Sequence, residues 1–122
     1  MTNESGTAFD SGDAATIATG MKVITKLGRV VIDDGHLGLL RENGDLIDSA
    51  PLSAVTLKKG LTYALVPTLH VLLSGKKYLV NLSYEAHINA GLGDAEAKEA
   101  QRDENTAFVE LVRRLGGEVK GL

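Results

Sequence analysis

The sequence predicts a mainly β fold: an antiparallel sandwich or partial barrel of six or seven strands, capped by one C-terminal amphipathic helix. Three observations predict it. From Val30 to Leu82 the apolar residues fall two apart, the period of a strand with one buried face. The segments so defined are joined by short turn-rich connections, which suit antiparallel meanders and leave no room for parallel crossovers of about a dozen residues or more. From Asp94 to Leu115 the apolar spacing changes, once, to three and four.

The elements follow in order. Residues 1–15 are rich in Ser, Gly, Thr, Asp and Ala, with Phe9 the only aromatic, and are expected to form a flexible tail. A single domain is expected over 16–117, with 118–122 a second tail. Between Ile17 and Leu27 strand and helix faces compete. The β-branched run Val23, Ile24 and Thr25 after Gly20 favours a strand. Arg29 to Asp33 is a strand with Val30 and Ile32 on one face, and Asp33-Asp34-Gly35 turns it into His36 to Arg41, with Leu37 and Leu39 inward. Asn43-Gly44 is a strong hairpin signal leading to Leu46–Ser49, which Pro51 ends.

Ala54 to Lys58 points Val55 and Leu57 inward, and Lys58-Lys59-Gly60 marks the next corner. Leu61 to Val66 is a further candidate strand. Thr68 to Leu73 and Lys77 to Leu82 alternate across the turn Ser74-Gly75-Lys76. Ser83 to Gly93 has no strong period and reads as a loop. Asp94 is placed to cap the helix, with Glu96 and Glu99 near its positive end and Arg113 and Arg114 near its negative end. Phe108, Leu111, Val112 and Leu115 form its apolar stripe, and Gly116-Gly117 stops it. Ala95 to Thr106 carries few large apolar residues and is expected to lie in solvent.

Composition narrows the functions. Hydrophobic residues at 43% suffice for one core, and aromatics at 4% leave aliphatic side chains to fill it. The absence of cysteine excludes thiolate nucleophiles, Cys-type zinc sites and disulfides, and a reducing, cytoplasmic setting is expected. Met1 to Asp13 has no Lys or Arg, so the basic start of a secretory signal is missing. The apolar run Leu61 to Leu73, broken by Pro67 and His70, is shorter than the roughly 20 residues a membrane-spanning helix needs. A net charge of −3 and few aromatic rings disfavour nucleic acid as a partner.

The piece from Gly28 to Ser83, with Gly44-Asp45-Leu46-Ile47-Asp48-Ser49-Ala50-Pro51-Leu52-Ser53-Ala54-Val55 as its middle hairpin and corner, precedes a helix ending in Phe108-Val109-Glu110-Leu111-Val112-Arg113-Arg114-Leu115-Gly116-Gly117. In order and period it resembles the small bacterial members of the pleckstrin-homology-like superfold. The resemblance implies a PH-like sandwich and a role in peptide binding, lipid binding or scaffolding, among which fold alone does not choose. Members that bind phosphoinositides carry a basic cluster between their first two strands. If the first strand here is Met21 to Lys26, that loop is Leu27-Gly28, flanked by Lys26 and Arg29. If it is Arg29 to Asp33, the loop is the acidic Asp33-Asp34-Gly35.

Candidate sites are few. Leu40, Leu72 and Leu79 fall on faces opposite the core stripes and are candidates for an interaction patch. The edge strand Leu46–Ser49, expected beside the helix, is a candidate for strand addition. Lys58, Lys59, Lys76 and Lys77 lie at two corners and form an anionic-ligand patch if those corners share one end of the sheet. His36, His70 and His87 lack the spacing of metal motifs, so no metal, cofactor or catalytic residue is assigned. Gly91-Leu92-Gly93 resembles the start of a phosphate-cradling loop, but Glu96 stands where a third glycine belongs. The expected function is a non-enzymatic protein-interaction or scaffolding module whose partner is another protein or a second copy. The alternative is a peripheral membrane adaptor that binds anionic lipid or an acidic peptide through the lysine corners, and a third reading is a small ligand-binding protein or enzyme with a pocket between sheet and helix.

Overall fold

A computed structural model describes residues 6–20, 22–59 and 67–121. Among them the chain forms β1 (Thr7–Asp10), β2 (Ala15–Thr19), β3 (Lys22–Asp33), β4 (His36–Leu40) and β5 (Leu46–Pro51). A 3₁₀ turn at Leu52–Ala54 leads to β6 (Val55–Lys59), β7 (Leu69–Leu73) and β8 (Lys76–Asn81). The helices α1 (Tyr84–Asn89) and α2 (Asp94–Arg114) and the strand β9 (Glu118–Lys120) complete it. The expected mainly β fold with a long C-terminal helix is present. The nine described strands form one sheet in the order β5-β4-β3-β2-β8-β7-β6-β9, with β1 beside β3. Its end strands β5 and β9 do not pair, so the barrel stays open.

The register explains how one sheet makes one core. β3 pairs with β2 over Lys22 to Gly28 and with β4 over Arg29 to Asp33, so it belongs to both halves. The handover falls at Gly28. A Cβ there would stand 2.5 Å from the Leu40 carbonyl oxygen and 2.5 Å from Thr25 Cγ2, a separation only a glycine avoids. Inward residues of both halves, among them Val30, Ile32, Leu37, Leu39, Leu57, Val71 and Val80, then join Phe108 and Val112 of α2 in one buried cluster. Both two-residue hairpins on either side of this core use positive φ at their central residues: Asp34 and Gly35 between β3 and β4, Ser74 and Gly75 between β7 and β8. That is the twist antiparallel ribbons need.

Several expectations are corrected. Residues 7–10 are not a flexible tail: β1 pairs antiparallel with β3, and the Phe9 ring lies 4.9 Å from that of Phe108. One aromatic contact with the helix gives the strand its anchor, which composition alone does not reveal. Nor are residues 118–120 a tail, because β9 pairs in parallel with β6. The helix supplies the crossover that parallel pairing needs. Leu27-Gly28 is no loop, since β3 runs straight through it. The expected loop at Ser83 to Gly93 contains α1. The candidate strand Leu61 to Val66 lies outside the described residues.

In α2, Phe108 and Val112 are buried as expected and Leu111 packs partly against the core, but Leu115 is 43% exposed. The first half of the helix is not in solvent, for Ala97, Gln101 and Asn105 are buried. Asp94 is not the cap either. Gly93 takes that position, its N–H donating to Glu96 Oε1 at 3.3 Å. The Asp94 carboxylate instead accepts from the Tyr84 hydroxyl and pairs with Lys98 at 2.9 Å.

Gly28→Ala is expected to destabilise the fold by about 1–3 kcal/mol, the usual cost of forcing a methyl group into packed space. Urea denaturation measures it, and an unchanged midpoint contradicts the tight crossing of β3 at this residue.

Candidate functional site

Alternation along β6, β7 and β8 decides which side chains reach the outer face of the sheet. Leu57, Val71, Tyr78 and Val80 point into the core, so Thr56, Lys58, His70, Leu72, Lys77 and Leu79 point away from it. Cross-strand register then gathers them. Lys58 lies opposite His70, and His70 opposite Leu79. Thr56 lies opposite Leu72, and Leu72 opposite Lys77. β9 adds Lys120 beside Lys58 and Glu118 beside Thr56, whose hydroxyl donates to Glu118 Oε1 at 3.1 Å. The result is two half-buried leucines framed by Lys58, Lys77 and an imidazole, with Lys120 and Glu118 paired at 3.9 Å along the β9 edge. Burial first, and then the charges of Lys77 and Lys58, hold the His70 imidazole below its ordinary value of 6.5.

The four corner lysines do not form the expected patch. Lys59 lies opposite Leu69 and Lys76 opposite Leu73, at the two ends of β7. Lys76 Nζ sits 5.5 Å above the Tyr78 ring centre, on a ring whose hydroxyl donates to Asp48 Oδ2 at 2.7 Å. Burial and then that bond raise the Tyr78 pKa, so the phenol stays protonated and its pairing belongs to the core. Lys58 and Lys77 do share a face. His70 and Lys120, which sequence reasoning left out, complete it. The alternation of Thr68 to Leu73 already placed His70 beside Leu72, whereas Lys120 becomes a member only through the parallel pairing of β9.

The three candidate leucines divide likewise. Leu72 and Leu79 sit on neighbouring strands of the outer face. Leu40 belongs to β4, with β3, β2 and β8 between it and β7. It lines a cleft of about 200 Å³ together with Asp13, Arg29, Arg41 and Asn43. Arg29 pairs there with Asp13 at 3.1 Å and Asp10 at 3.5 Å, and Arg41 donates to the Ile24 carbonyl at 3.2 Å. Those guanidinium groups fasten β1 and β3, which leaves the cleft little charge to offer a ligand. β5 is an edge strand, as strand addition needs, and its Leu46 is 60% exposed.

A second polar cluster joins α1 to α2. Gln101 is fully buried. Its Oε1 accepts from the N–H groups of Ser83 at 3.1 Å and Tyr84 at 2.6 Å, and its Nε2 donates to the Pro67 carbonyl at 2.7 Å. Asn105 donates to the same carbonyl at 2.9 Å. A side chain from α2 thus satisfies backbone donors at the start of α1, which has no side-chain cap of its own. Nearby, Ser83 Oγ donates to Glu104 Oε2 at 3.0 Å, and His87 Nε2 lies 2.7 Å from the same oxygen. The carboxylate stands between hydroxyl and imidazole. Activation of a serine requires the imidazole to receive the hydroxyl proton directly, and this arrangement does not provide it. His36 faces the Asp34 carbonyl at its turn, and among the described residues no three His, Asp or Glu side chains are grouped as metal ligands. No helix of the described residues is long and apolar enough to cross a membrane.

No protein-family model, no curated protein and no solved structure matches the chain.

Two outcomes follow from this geometry. Gln101→Leu keeps the volume but strands two amide donors, and a loss of about 2–6 kcal/mol is expected in chemical denaturation, since each such group costs roughly 1–3 kcal/mol. The His70 ring is expected to titrate by NMR with a midpoint below 6.5, moving upward in Lys77→Met. The sign for stability follows from linkage: the unfolded chain takes up this proton first, so His70 removes stability as the pH falls below 6.5 and removes none above it. A midpoint at or above 6.5 refutes the juxtaposition with Lys58 and Lys77.

Proposed function

We propose that this chain is a non-enzymatic binding module of pleckstrin-homology-like architecture that grips an acidic, partly apolar protein segment on the outer face of β6, β7 and β8. One observation carries the reading: in a chain of net charge −3, Lys58, Lys77 and His70 surround Leu72 and Leu79 on one sheet face. Aliphatic surface supplies the contact area. The ammonium groups at its rim select against cationic partners and accelerate encounter with anionic ones. The architectural part of the proposal draws support from the meander β2-β3-β4-β5, the meander β6-β7-β8, the pairing of β2 with β8, and the helix that follows them. A cytoplasmic setting suits a chain with no cysteine.

The test is fluorescence anisotropy with a labelled peptide of alternating Glu and Leu, beside a Lys and Leu control. Binding of the acidic peptide alone is expected, weakening as salt rises. Lys58→Glu with Lys77→Glu is expected to lower its affinity about tenfold or more, a difference of about 1.4 kcal/mol or more. Equal binding by the reversed variant overturns the assignment of the face. Sedimentation with vesicles of anionic lipid is the second arm, and binding there without binding to the peptide moves the function to membrane surfaces.

A further inference from the structure

The outward side of α2 carries the opposite charge to the outer face of the sheet. At about 100° per residue, the buried row Ala97, Gln101, Asn105, Phe108 and Val112 puts Glu96, Glu99 and Asp103 on the far side of the helix. Ala107 is exposed between the acidic side chains and the helix end, and Ala100 lies with Glu96, Glu99 and Asp103 around a shallow depression of about 310 Å³. Lys98 pairs with Asp94, and Arg113 with Glu110.

Spacing agrees as well as sign. Glu96 and Asp103 are about 10 Å apart along the helix axis, from its rise per residue. Lys58 and Lys77 are two strands and two residues apart, about 12 Å on a pleated sheet. Yet the two surfaces cannot meet within one molecule. α2 covers the core side of the sheet through Phe108 and Val112, so its acidic row and the basic sheet face look in opposite directions.

From this we propose that the occupant of the basic face is a second copy of the chain, seated by its α2 acidic row, so that molecules associate head to tail. The inference rests on the binding-module reading and names its partner. Because donor and acceptor surfaces differ, the interface is heterologous, and a bound pair still presents one free surface of each kind. The assembly therefore grows with concentration rather than stopping at a symmetric dimer.

Sedimentation velocity and light scattering on the full chain test it. At low ionic strength the weight-average mass is expected to rise about twofold or more over the monomer with concentration and to return to the monomer in high salt. Lys58→Glu with Lys77→Glu makes both faces acidic, and Glu99→Lys with Asp103→Lys makes both basic, so each variant alone is expected to stay monomeric. Mixed together, they are expected to regain the wild-type mass. The neutral versions, Lys58→Gln with Lys77→Gln and Glu99→Gln with Asp103→Asn, read the same loss should a reversed variant fail to fold by circular dichroism. A wild-type chain that is monomeric at every concentration overturns the proposal, as does association that neither reversal touches. Acidic-peptide binding by a strictly monomeric chain refutes the self-docking alone and leaves the binding module standing.

Discussion

The handover of β3 from one partner to the next at Gly28 is the constraint on which the rest of the structure depends. One strand serves two partners in succession, β2 before the glycine and β4 after it. Without that handover the two halves of the sheet form separate layers, each with one apolar face to cover. With it, inward residues from both halves meet in a single cluster. The backbone of β4 approaches so closely that a methyl group at residue 28 collides with it. β3 thereby converts a long ribbon of hairpins into a cup, and α2 has one apolar surface to close instead of two.

How α2 closes it is divided between apolar and polar packing. Phe108 and Val112 enter the cluster as an ordinary amphipathic stripe. Gln101 and Asn105 enter as hydrogen-bonding groups that hold the Pro67 carbonyl ahead of β7 and the amides that begin α1. The Gln101 amide, engaged at both its oxygen and its nitrogen, is directional in a way that a leucine is not. The helix is therefore placed along its axis as well as pressed onto the sheet, and that placement sends its acidic row directly away from the core.

The same arrangement makes the molecule electrically two-sided. Outward positions on β6, β7, β8 and β9 collect lysines and an imidazole, and outward positions on the first turns of α2 collect carboxylates. Each surface taken alone is ordinary solvated charge. The core keeps the two apart, so Lys58 and Lys77 do not neutralise Glu99 and Asp103 within one molecule. In the Leu40 cleft the reverse happens. Arg29 and two aspartates neutralise each other, and the charge there holds strands together instead of facing outward.

How much of this was legible in the residues follows from the range of the forces involved. Alternation from Val30 to Leu82, the turns at Asp34-Gly35 and Ser74-Gly75, and the stripe at Phe108 and Val112 are local, since burial of one face repeats with the geometry of the element itself. These determined the second half of β3, β4 to β8, most of their inward residues and the C-terminal helix. β1, α1, β9 and the buried first half of α2 carry no such period. They exist because Phe9 finds Phe108, because Gln101 reaches the start of α1, and because β9 returns beside β6. The membership of the basic face was decided in the same way: alternation sends Lys58, His70 and Lys77 outward, but only cross-strand register brings them together. Tertiary structure alone made that choice, because hydrogen bonds between distant segments leave no repeat in the chain that forms them.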